Sequence, residues 1–287
     1  MSWALVLHGG AGEWRETRVP VALSGLRAAA ELARARVESG VSALDVVCEA
    51  VARLEDDPVF NAGTGSVLNR DGEAEMDAAV MSGHDLRFGA VAAIQRVRNP
   101  VLVARCVMER SPHALLAGGG ALHFAREHGF ADYDPIAEFA RAEFLARTQS
   151  GSPGTVGAVC LDSQGRFAAA TSTGGTMLKL RGRVGDTPLP GAGTYAGTAA
   201  AVSATGKGEL IMRMLASKRI YDLIFAGATA QQAIEQTLRE MRDSVGSEAG
   251  FIAVGRDGDI GLGHDTPALV HAWCGQADRE IRVGAKI

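Results

Sequence analysis

The sequence contains little of several features that define whole classes of protein. It has four cysteines, nine prolines and 5% aromatic residues in 287. The cysteines, at positions 48, 106, 160 and 274, stand far apart without a C-x-x-C pair, which favours reduced, buried thiols over a disulfide framework or a zinc site. No run approaches the roughly 18 apolar residues of a membrane-spanning helix. The net charge of −4 gives no basic excess for binding nucleic acid or an acidic membrane.

Glycine and apolar residues are abundant by contrast. Glycine contributes 36 residues, and 47% of the sequence is hydrophobic. This composition excludes disorder, which needs low hydrophobicity and a high net charge. The glycines have no three-residue period, which excludes a collagen-like fibre. The composition therefore indicates a globular protein with a dry core.

The N-terminal residues bear on the compartment. Residues 1–8 lead directly to Gly9 and Gly10, without the basic segment and longer apolar stretch of a secretory signal peptide. Together with the separated cysteines, this predicts a cytoplasmic protein.

Hydrophobic periodicity and turn residues divide the sequence into blocks of strands and blocks of helices. Such blocks favour antiparallel sheets with segregated helices over a βαβ alternation. We therefore expect an α+β fold, a four-layer αββα sandwich in which two stacked, mainly antiparallel sheets lie between helical layers, within a single domain of residues 1–287. The predicted strands are 4–7, 73–81, 88–94, 156–161, 167–173, 250–254, 259–263 and 268–273. The predicted helices are 22–38, 42–57, 100–109, 121–128, 136–147, 209–225 and 230–243.

Generic ligand-binding motifs are incomplete in this sequence. Gly63-Thr64-Gly65 begins like a dinucleotide-binding loop, but Leu68 occupies its sixth position. Thr205-Gly206-Lys207-Gly208 resembles part of a phosphate-binding loop that lacks its first glycine and its final hydroxyl residue. The seven histidines never pair at the spacing of metal ligands, which favours surface or hydrogen-bonded histidines.

Thr155 differs from other threonines in the segments that follow it along the chain. It follows Gly154 and starts an apolar run, which by itself is typical of a strand-initiating threonine because β-branched residues favour strands. Three polar, glycine-rich segments then follow within about fifty residues, at 171–175, 182–186 and 205–209.

Motifs along nearly the whole chain resemble the plant-type L-asparaginase and isoaspartyl peptidase family, which belongs to the N-terminal-nucleophile hydrolases. In the second half the resemblance rests on the segments from Gly154 onward. Because several separated motifs occur in the right order, the resemblance is specific. In the first half it rests on His8-Gly9-Gly10-Ala11-Gly12, Phe60-Asn61-Ala62-Gly63, Asp77-Ala78-Ala79-Val80-Met81 and Arg98-Asn99-Pro100-Val101.

The resemblance implies an inactive precursor that cuts itself between Gly154 and Thr155, into an α subunit (1–154) and a β subunit (155–287). Cleavage would free an α-amine on Thr155. With a pKa of about 7.7–8.0 in model compounds, this amine can serve as the base for the Thr155 hydroxyl at neutral pH. The implied substrates are isoaspartyl dipeptides and L-asparagine, both of which release L-aspartate, and no catalytic cofactor is implied.

Two charged residues are implied to bind the substrate. Arg183 would bind its α-carboxylate through two parallel hydrogen bonds, and Asp186 would bind its α-ammonium. Without the resemblance, the two residues would be read as an exposed ion pair in a glycine-rich loop, which contributes little to stability.

Four further residues are implied to act at the nucleophile. The Thr205 hydroxyl and the Gly206 backbone amide would form the oxyanion hole. Thr173 would hydrogen-bond in the nucleophile region, and Asn61 would help to orient the nucleophile. Taken alone, Asn61 would be a turn residue and Thr173 a strand end.

The resemblance also implies a structural sodium ion and a dimer of cleaved αβ units. Oxygen ligands from one loop suit a hard cation. The implied sodium-binding residues are Leu54, Glu55, Asp57, Phe60, Ala62 and Thr64.

Two positions depart from the family pattern, and two other functions stay open. Lys207 stands where many relatives carry a small hydroxyl residue, which alters the charge at the pocket edge, and Pro153 stiffens the approach to the cleavage site. A glycosylasparaginase-like hydrolase would use the same nucleophile, but that branch generally carries Asp where this sequence has Gly154. A non-catalytic nucleotide-binding protein would use the glycine-rich loop around Lys207.

Overall fold

A computed structural model of the protein describes residues 2–146 and 154–285, which form a mixed α+β fold. Within these residues lie an eight-stranded sheet, antiparallel except for one edge pair, and a four-stranded antiparallel sheet. With strands numbered in chain order, the first sheet contains β1 (Ala4–Gly12), β2 (Met76–Ser82), β3 (Phe88–Ile94), β4 (Leu115–Ala117), β5 (Val156–Leu161), β6 (Phe167–Thr173), β11 (Ala268–Gly275) and β12 (Arg282–Gly284). The second contains β7 (Thr194–Ala196), β8 (Ala201–Gly206), β9 (Ala249–Val254) and β10 (Ile260–His264).

Two of the helices in the described residues begin at side-chain caps. Ser42 accepts a hydrogen bond from the Asp45 backbone N–H at 3.2 Å and starts the second helix. Thr229 and Gln232 form a capping box at the start of the last one. The α-helices are α1 (Val19–Glu38), α2 (Ala43–Glu55), α3 (Pro100–Arg110), α4 (Gly118–Glu127), α5 (Glu138–Ala146), α6 (Gly208–Met214), α7 (Ala216–Phe225) and α8 (Ala230–Ser244).

The spatial order of the first sheet is β12-β11-β1-β5-β6-β2-β3-β4, and that of the second is β10-β9-β8-β7. Asp162 closes the central β5–β6 hairpin, because its carboxylate accepts hydrogen bonds from the backbone N–H groups of Gln164 at 2.9 Å and Arg166 at 3.0 Å. The same carboxylate accepts the N–H of Ala43 at 3.0 Å. It therefore ties the start of α2 to the middle of the sheet.

Alternate residues of the central strands enter different cores, as the two-residue period of a strand requires. On β1, Leu5 and Leu7 pack with α1 and α2, whereas Val6 faces the second sheet. On β8, Val202 packs with α7 and α8, whereas Ala201 faces the first sheet. The space between the sheets is thus lined by one residue in two from each strand.

Most predicted elements are confirmed. Strands 88–94, 156–161 and 167–173 have the predicted limits, and α3 and α8 begin at the predicted residues 100 and 230. The predicted helix 136–147 appears as α5, and the predicted C-terminal strands appear as β9, β10 and β11.

Several boundaries were predicted wrongly. Residues 209–225 form two helices rather than one, because Leu215 adopts a left-handed conformation with φ of 46° between α6 and α7. β1 continues to Gly12 instead of ending at residue 7, and α1 starts at Val19, three residues before its predicted start. α4 starts at Gly118 rather than Ala121. The short strands β4, β7 and β12 were not predicted, nor was β8. Pro153, predicted to stiffen the approach to the cleavage site, lies outside the described residues.

The cysteines are free thiols, and those at 48, 160 and 274 are buried as expected. Cys106 is partly exposed instead. Across residues 2–146 and 154–285, no helix combines the length and apolar character that crossing a membrane requires.

Candidate active site

Three predicted site threonines meet where strands of both sheets end. Thr155 directly precedes β5, Thr173 is the last residue of β6, and Thr205 is the penultimate residue of β8. Val159, Ala169 and Ala201 belong to the core between the sheets, and each threonine lies four residues from one of them along the chain. Because residues an even number apart share a face of a strand, all three threonines face the space between the sheets. Their exposed fractions are 6%, 3% and 0%.

The backbone at Gly154 is enclosed by the ends of β1 and β8. Thr205 Oγ1 accepts a hydrogen bond from the Ala11 backbone N–H at 3.0 Å, and it would lie 2.8 Å from a Cβ placed on Gly154. A Cβ on Gly10, where φ is 119°, would lie 2.5 Å from the Gly154 nitrogen. Glycine at position 10 therefore lets β1 pack directly against the predicted cleavage site.

Asn61 and Thr173 hold the loop that follows β6. Asn61 Nδ2 donates to the Gly175 carbonyl at 2.8 Å, and its Oδ1 accepts the Val67 backbone N–H at 3.0 Å. Thr173 Oγ1 accepts the Gly175 backbone N–H at 2.9 Å. Both ends of the Asn61 amide are thus occupied by backbone groups, and the loop at Gly174–Gly175 is fixed from two sides.

Arg183 lies on the same long connection, between β6 and β7. Its Nε and Nη2 atoms donate to the two carboxylate oxygens of Glu209, each at 2.9 Å. Its Nη1 is not used in this pair and would lie 3.4 Å and 2.8 Å from Cβ atoms placed on Gly175 and Gly185. The guanidinium is therefore oriented by Glu209, and its remaining N–H groups face the glycine-rich loops of the site.

Asp186 is a buried carboxylate with an unused oxygen. Its side chain is 5% exposed, and burial raises its pKa to about 7. Oδ2 has no hydrogen-bond partner among the described residues, while Oδ1 would lie 2.6 Å from a Cβ placed on Gly208. Such a group readily accepts a cationic partner. A carboxylate packed against this loop is unfavourable for a phosphate and speaks against the nucleotide-binding alternative.

Two supporting residues were not assigned a role from the sequence. Asp77, within the apolar strand β2, accepts the backbone N–H groups of Gly185 at 3.0 Å and Ala93 at 2.8 Å, and burial raises its pKa. Lys179 Nζ donates to the carbonyls of Glu75 at 2.6 Å and Gly174 at 3.0 Å. The available signal was an acidic residue inside an apolar strand, which needs buried partners.

A cavity of about 540 Å³ opens beside these residues. Of the predicted site residues, Asn61, Gly154 and Gly206 line it, whereas Thr155 follows Gly154 and is almost covered. Lys207 lies in the lining, paired with Glu248 at 3.3 Å. Lys207 therefore adds a positive charge to the lining of this cavity.

The residues predicted to bind sodium lie in the loop after α2. The carbonyls of Leu54, Asp57 and Ala62 each accept one backbone N–H at 3.2 Å, which leaves a free lone pair on each oxygen. Glu55 Oε1 accepts the Val101 backbone N–H at 3.0 Å. In the described part of the chain, no group of three His, Cys, Asp or Glu side chains is placed to hold a metal ion. A cation in this loop would therefore rest on backbone oxygens, as the free lone pairs allow.

Fold and site together define an α+β protein whose buried threonine lies at the meeting point of two stacked sheets. A family model described as Asparaginase matches residues 1–153 and 137–283. The chain is 41% identical over 304 residues to a plant-type L-asparaginase of Pyrococcus abyssi, with 98% of this chain and 99% of the relative covered. It is 44% identical over 298 residues to an isoaspartyl peptidase of Salmonella typhimurium, with 94% of each covered.

A vertebrate relative extends this similarity. The chain is 42% identical over 267 residues to an isoaspartyl peptidase/L-asparaginase of Danio rerio, with 88% of this chain and 86% of the relative covered. The chain therefore belongs to the asparaginase family, which confirms the resemblance found in its motifs.

Proposed function

We propose that the protein is an amidohydrolase that cleaves isoaspartyl dipeptides and L-asparagine and releases L-aspartate. The observation that carries the proposal is the enclosure of Thr155 at the start of β5, with the Thr205 hydroxyl packed against Gly154. The relatives, which are named for both activities, support it.

The active form arises by self-cleavage of a single domain into residues 1–154 and 155–287. The Thr155 hydroxyl attacks the Gly154 carbonyl carbon, the peptide C–N bond breaks, and Gly154 becomes an ester on Thr155 Oγ. The hydroxyl proton passes to the departing nitrogen, which becomes the α-amine. Water then hydrolyses the ester and releases the Gly154 carboxylate. Glycine at 154 leaves the carbonyl open to attack.

In the mature site the Thr155 α-amine takes the hydroxyl proton while Oγ attacks the substrate side-chain carbonyl. Thr205 Oγ1 already accepts the Ala11 N–H, so its own proton is free to stabilise the oxyanion together with the Gly206 N–H. The proton then passes to the leaving ammonia or amino acid. Water hydrolyses the aspartyl ester and restores Thr155.

Arg183 and Asp186 recognise the aspartyl part of the substrate. Two N–H groups of Arg183 bind the α-carboxylate while Glu209 holds the other side of the guanidinium. The unused oxygen of Asp186 binds the α-ammonium. Thr173 and Asn61 hold the loop at Gly174–Gly175 in place through their hydrogen bonds to Gly175.

We also propose a fold, a bound ion, a compartment and an assembly for the whole protein. The three hydrophobic cores, two under helices and one between the sheets, support a four-layer αββα sandwich. A sodium ion on the carbonyls of the 54–64 loop would stabilise that loop without taking part in the chemistry. We place the enzyme in the cytoplasm, as a dimer of cleaved αβ units.

A denaturing gel with intact mass analysis of fresh and aged protein tests the proposal. Wild type should give fragments of 154 and 133 residues, the smaller beginning at Thr155. Thr155→Ala should stay whole and release no ammonia from asparagine above background, because it has neither the nucleophile nor the new amine. Intact wild-type protein that hydrolyses asparagine normally would contradict the mechanism.

A further inference from the structure

Four polar side chains from four strands meet between the two sheets, beyond the groups used above. They are His8 on β1, Thr171 on β6, Thr194 on β7 and Ser203 on β8, and all four are fully buried. We call them the inter-sheet network. Burying such groups is costly unless they are hydrogen-bonded.

The inter-sheet network is continuous. His8 Nε2 lies 2.8 Å from Ser203 Oγ, and Ser203 Oγ lies 2.8 Å from Thr171 Oγ1. Thr194 Oγ1 donates to Thr171 Oγ1 at 2.7 Å and lies 3.1 Å from the Thr187 carbonyl oxygen. Burial lowers the pKa of His8 to about 3, so the imidazole is neutral and the network carries no net charge.

Gly157 provides the space that the network occupies. This residue pairs with His8 on one side and with Thr171 on the other. A Cβ at position 157 would lie 2.1 Å from Ser203 Oγ and 2.4 Å from His8 Nε2. Ser203 of the second sheet therefore inserts over the backbone of β5, two residues after Thr155.

The network lies one strand repeat away from the site on three strands. Thr171 precedes Thr173 by two residues, Ser203 precedes Thr205 by two, and Gly157 follows Thr155 by two. Residues two apart share a face of a strand, so the same face carries the network and then the site threonines. A displacement of Ser203 relative to Gly157 would be transmitted to the spacing of Thr205 and Thr155.

We propose that the inter-sheet network is a positioning device that sets the distance between the nucleophile strand β5 and the oxyanion strand β8. This inference rests on the proposed function of Thr155 and Thr205. Apolar packing is non-directional, whereas hydroxyl hydrogen bonds fix oxygen–oxygen distances near 2.7–2.8 Å. His8, Thr171, Thr194 and Ser203 thus act through Thr155 and Thr205 and touch no substrate.

Paired substitutions at Thr171 separate a hydroxyl role from a packing role. Thr171→Val keeps the volume and removes the hydroxyl, and Thr171→Ser keeps the hydroxyl and removes a methyl group. We expect Thr171→Val to slow self-cleavage and to lower kcat per cleaved enzyme by about 10- to 100-fold, since a misplacement of about 1 Å can cost about 10²-fold. Its KM should stay within about threefold of wild type, because Glu209 holds Arg183 and the Asp186 carbonyl accepts the backbone N–H groups of Leu189 and Gly193. Thr171→Ser should stay within about threefold of wild type in cleavage and kcat.

Thr237→Val is the matched control. Thr237 is also fully buried and donates to the Ala233 carbonyl at 2.9 Å, but it lies on α8, away from the network. This variant should cleave and turn over like wild type. If Thr171→Val is insoluble, Thr194→Val and Thr194→Ser at the other end of the network should show the same contrast.

Two results would overturn the inference alone: Thr171→Val as active as Thr237→Val, or Thr171→Ser as impaired as Thr171→Val. A wild type that neither cleaves nor hydrolyses asparagine would overturn the proposed function and this inference together. The two failures are therefore distinguishable within one set of proteins.

Discussion

Burial of Asp186 predicts that its proposed binding of the substrate ammonium depends on pH. Burial raises its pKa to about 7, with Asp77 and Glu209 adding to the rise and Arg183 opposing it. Below that pH the carboxyl group of the free enzyme is neutral and cannot pair with the substrate ammonium. In the complex the ammonium keeps the carboxyl ionised, so this ionisation should affect kcat/KM and not kcat.

We expect protonation of two groups, the Asp186 carboxylate and the Thr155 amine, to lower kcat/KM at acid pH. Below about pH 7 the slope of log kcat/KM against pH should approach two, while that of log kcat approaches one. The measurement is steady-state hydrolysis of asparagine between pH 5 and 9. Asp186→Asn, much weaker in kcat/KM, should lose the additional ionisation. Identical slopes for both parameters in wild type would contradict this role for Asp186.

The bidentate geometry of Arg183 predicts that lysine cannot replace it. A lysine ammonium cannot form two parallel hydrogen bonds to Glu209 and, at the same time, two more to a substrate carboxylate. Arg183→Lys should raise KM by about 10- to 100-fold, equivalent to the loss of a charge-assisted hydrogen bond or two. Self-cleavage should proceed at the wild-type rate, because this step needs no substrate carboxylate.

Arg219→Lys is the control for that substitution. Arg219 on α7 forms the same type of pair with Glu240, at 2.8 and 2.6 Å, outside the candidate site. It should leave KM unchanged. Equal losses of cleavage and substrate binding in Arg183→Lys would show folding damage instead of a binding role.

At the scale of elements, Glu55 links the end of α2 to the start of α3. The side chain is fully buried, Oε1 accepts the Val101 N–H at 3.0 Å, and burial raises the pKa to about 8. The unfolded chain ionises this group above about pH 4.5, whereas the folded protein keeps it protonated until about pH 8. Its contribution to stability is therefore complete below pH 4.5 and is lost as the pH rises through 8, on the order of 5 kcal/mol in all.

Glu55→Gln should remove this pH dependence, because glutamine stays neutral and can still accept the Val101 N–H. Thermal unfolding followed by circular dichroism should show wild type losing Tm between pH 5 and 9, and Glu55→Gln losing clearly less. Glu49→Gln on the same helix, where Glu49 pairs with Arg36 at the surface, should behave like wild type. A parallel decline in both variants would rule out Glu55 as the cause.

Local patterns predicted the elements whose signals are local. The β5–β6 hairpin follows from two apolar runs around the Asp162 turn, and the start of α8 follows from Thr229, which caps it. β8 was missed because Ala201–Gly206 consists of small residues beside glycine-rich segments, and its strand character comes from pairing with β7 and β9. The break at Leu215 has no sequence signal, because leucine disfavours the left-handed conformation it adopts there.

The candidate site was predictable only in part for a similar reason. Motifs predicted roles for Thr155, Thr205, Arg183 and Asp186, but the Glu209 pair depends on how α6 packs on the loop before β7. The inter-sheet network depends on Ser203, which lies on the strand that was missed. Contacts between distant segments decide both, and periodicity within one segment carries no information about them.

At the scale of the whole molecule, the first sheet interleaves segments from both sides of the Gly154–Thr155 bond. In the order β12-β11-β1-β5-β6-β2-β3-β4, strands β1 to β4 precede the bond and the other four follow it. Three pairings therefore join the two fragments that the proposed cleavage would give: β11 with β1, β1 with β5, and β6 with β2. Separating them would break a sheet at its centre and expose the core under α1 and α2.

Cleavage should consequently leave the two polypeptides in one cooperative unit. Gel filtration of fully cleaved protein at low micromolar concentration should show both fragments in a single peak, and urea should unfold them in one transition with coincident fluorescence and circular dichroism. Uncleaved Thr155→Ala serves as the reference and should give the same native elution volume. The cut lies directly before β5 and removes no strand pairing. The thermal midpoint of Thr155→Ala should therefore lie within a few degrees of that of the cleaved protein. Fragments that separate without denaturant would contradict the interleaved sheet as the link between the two subunits.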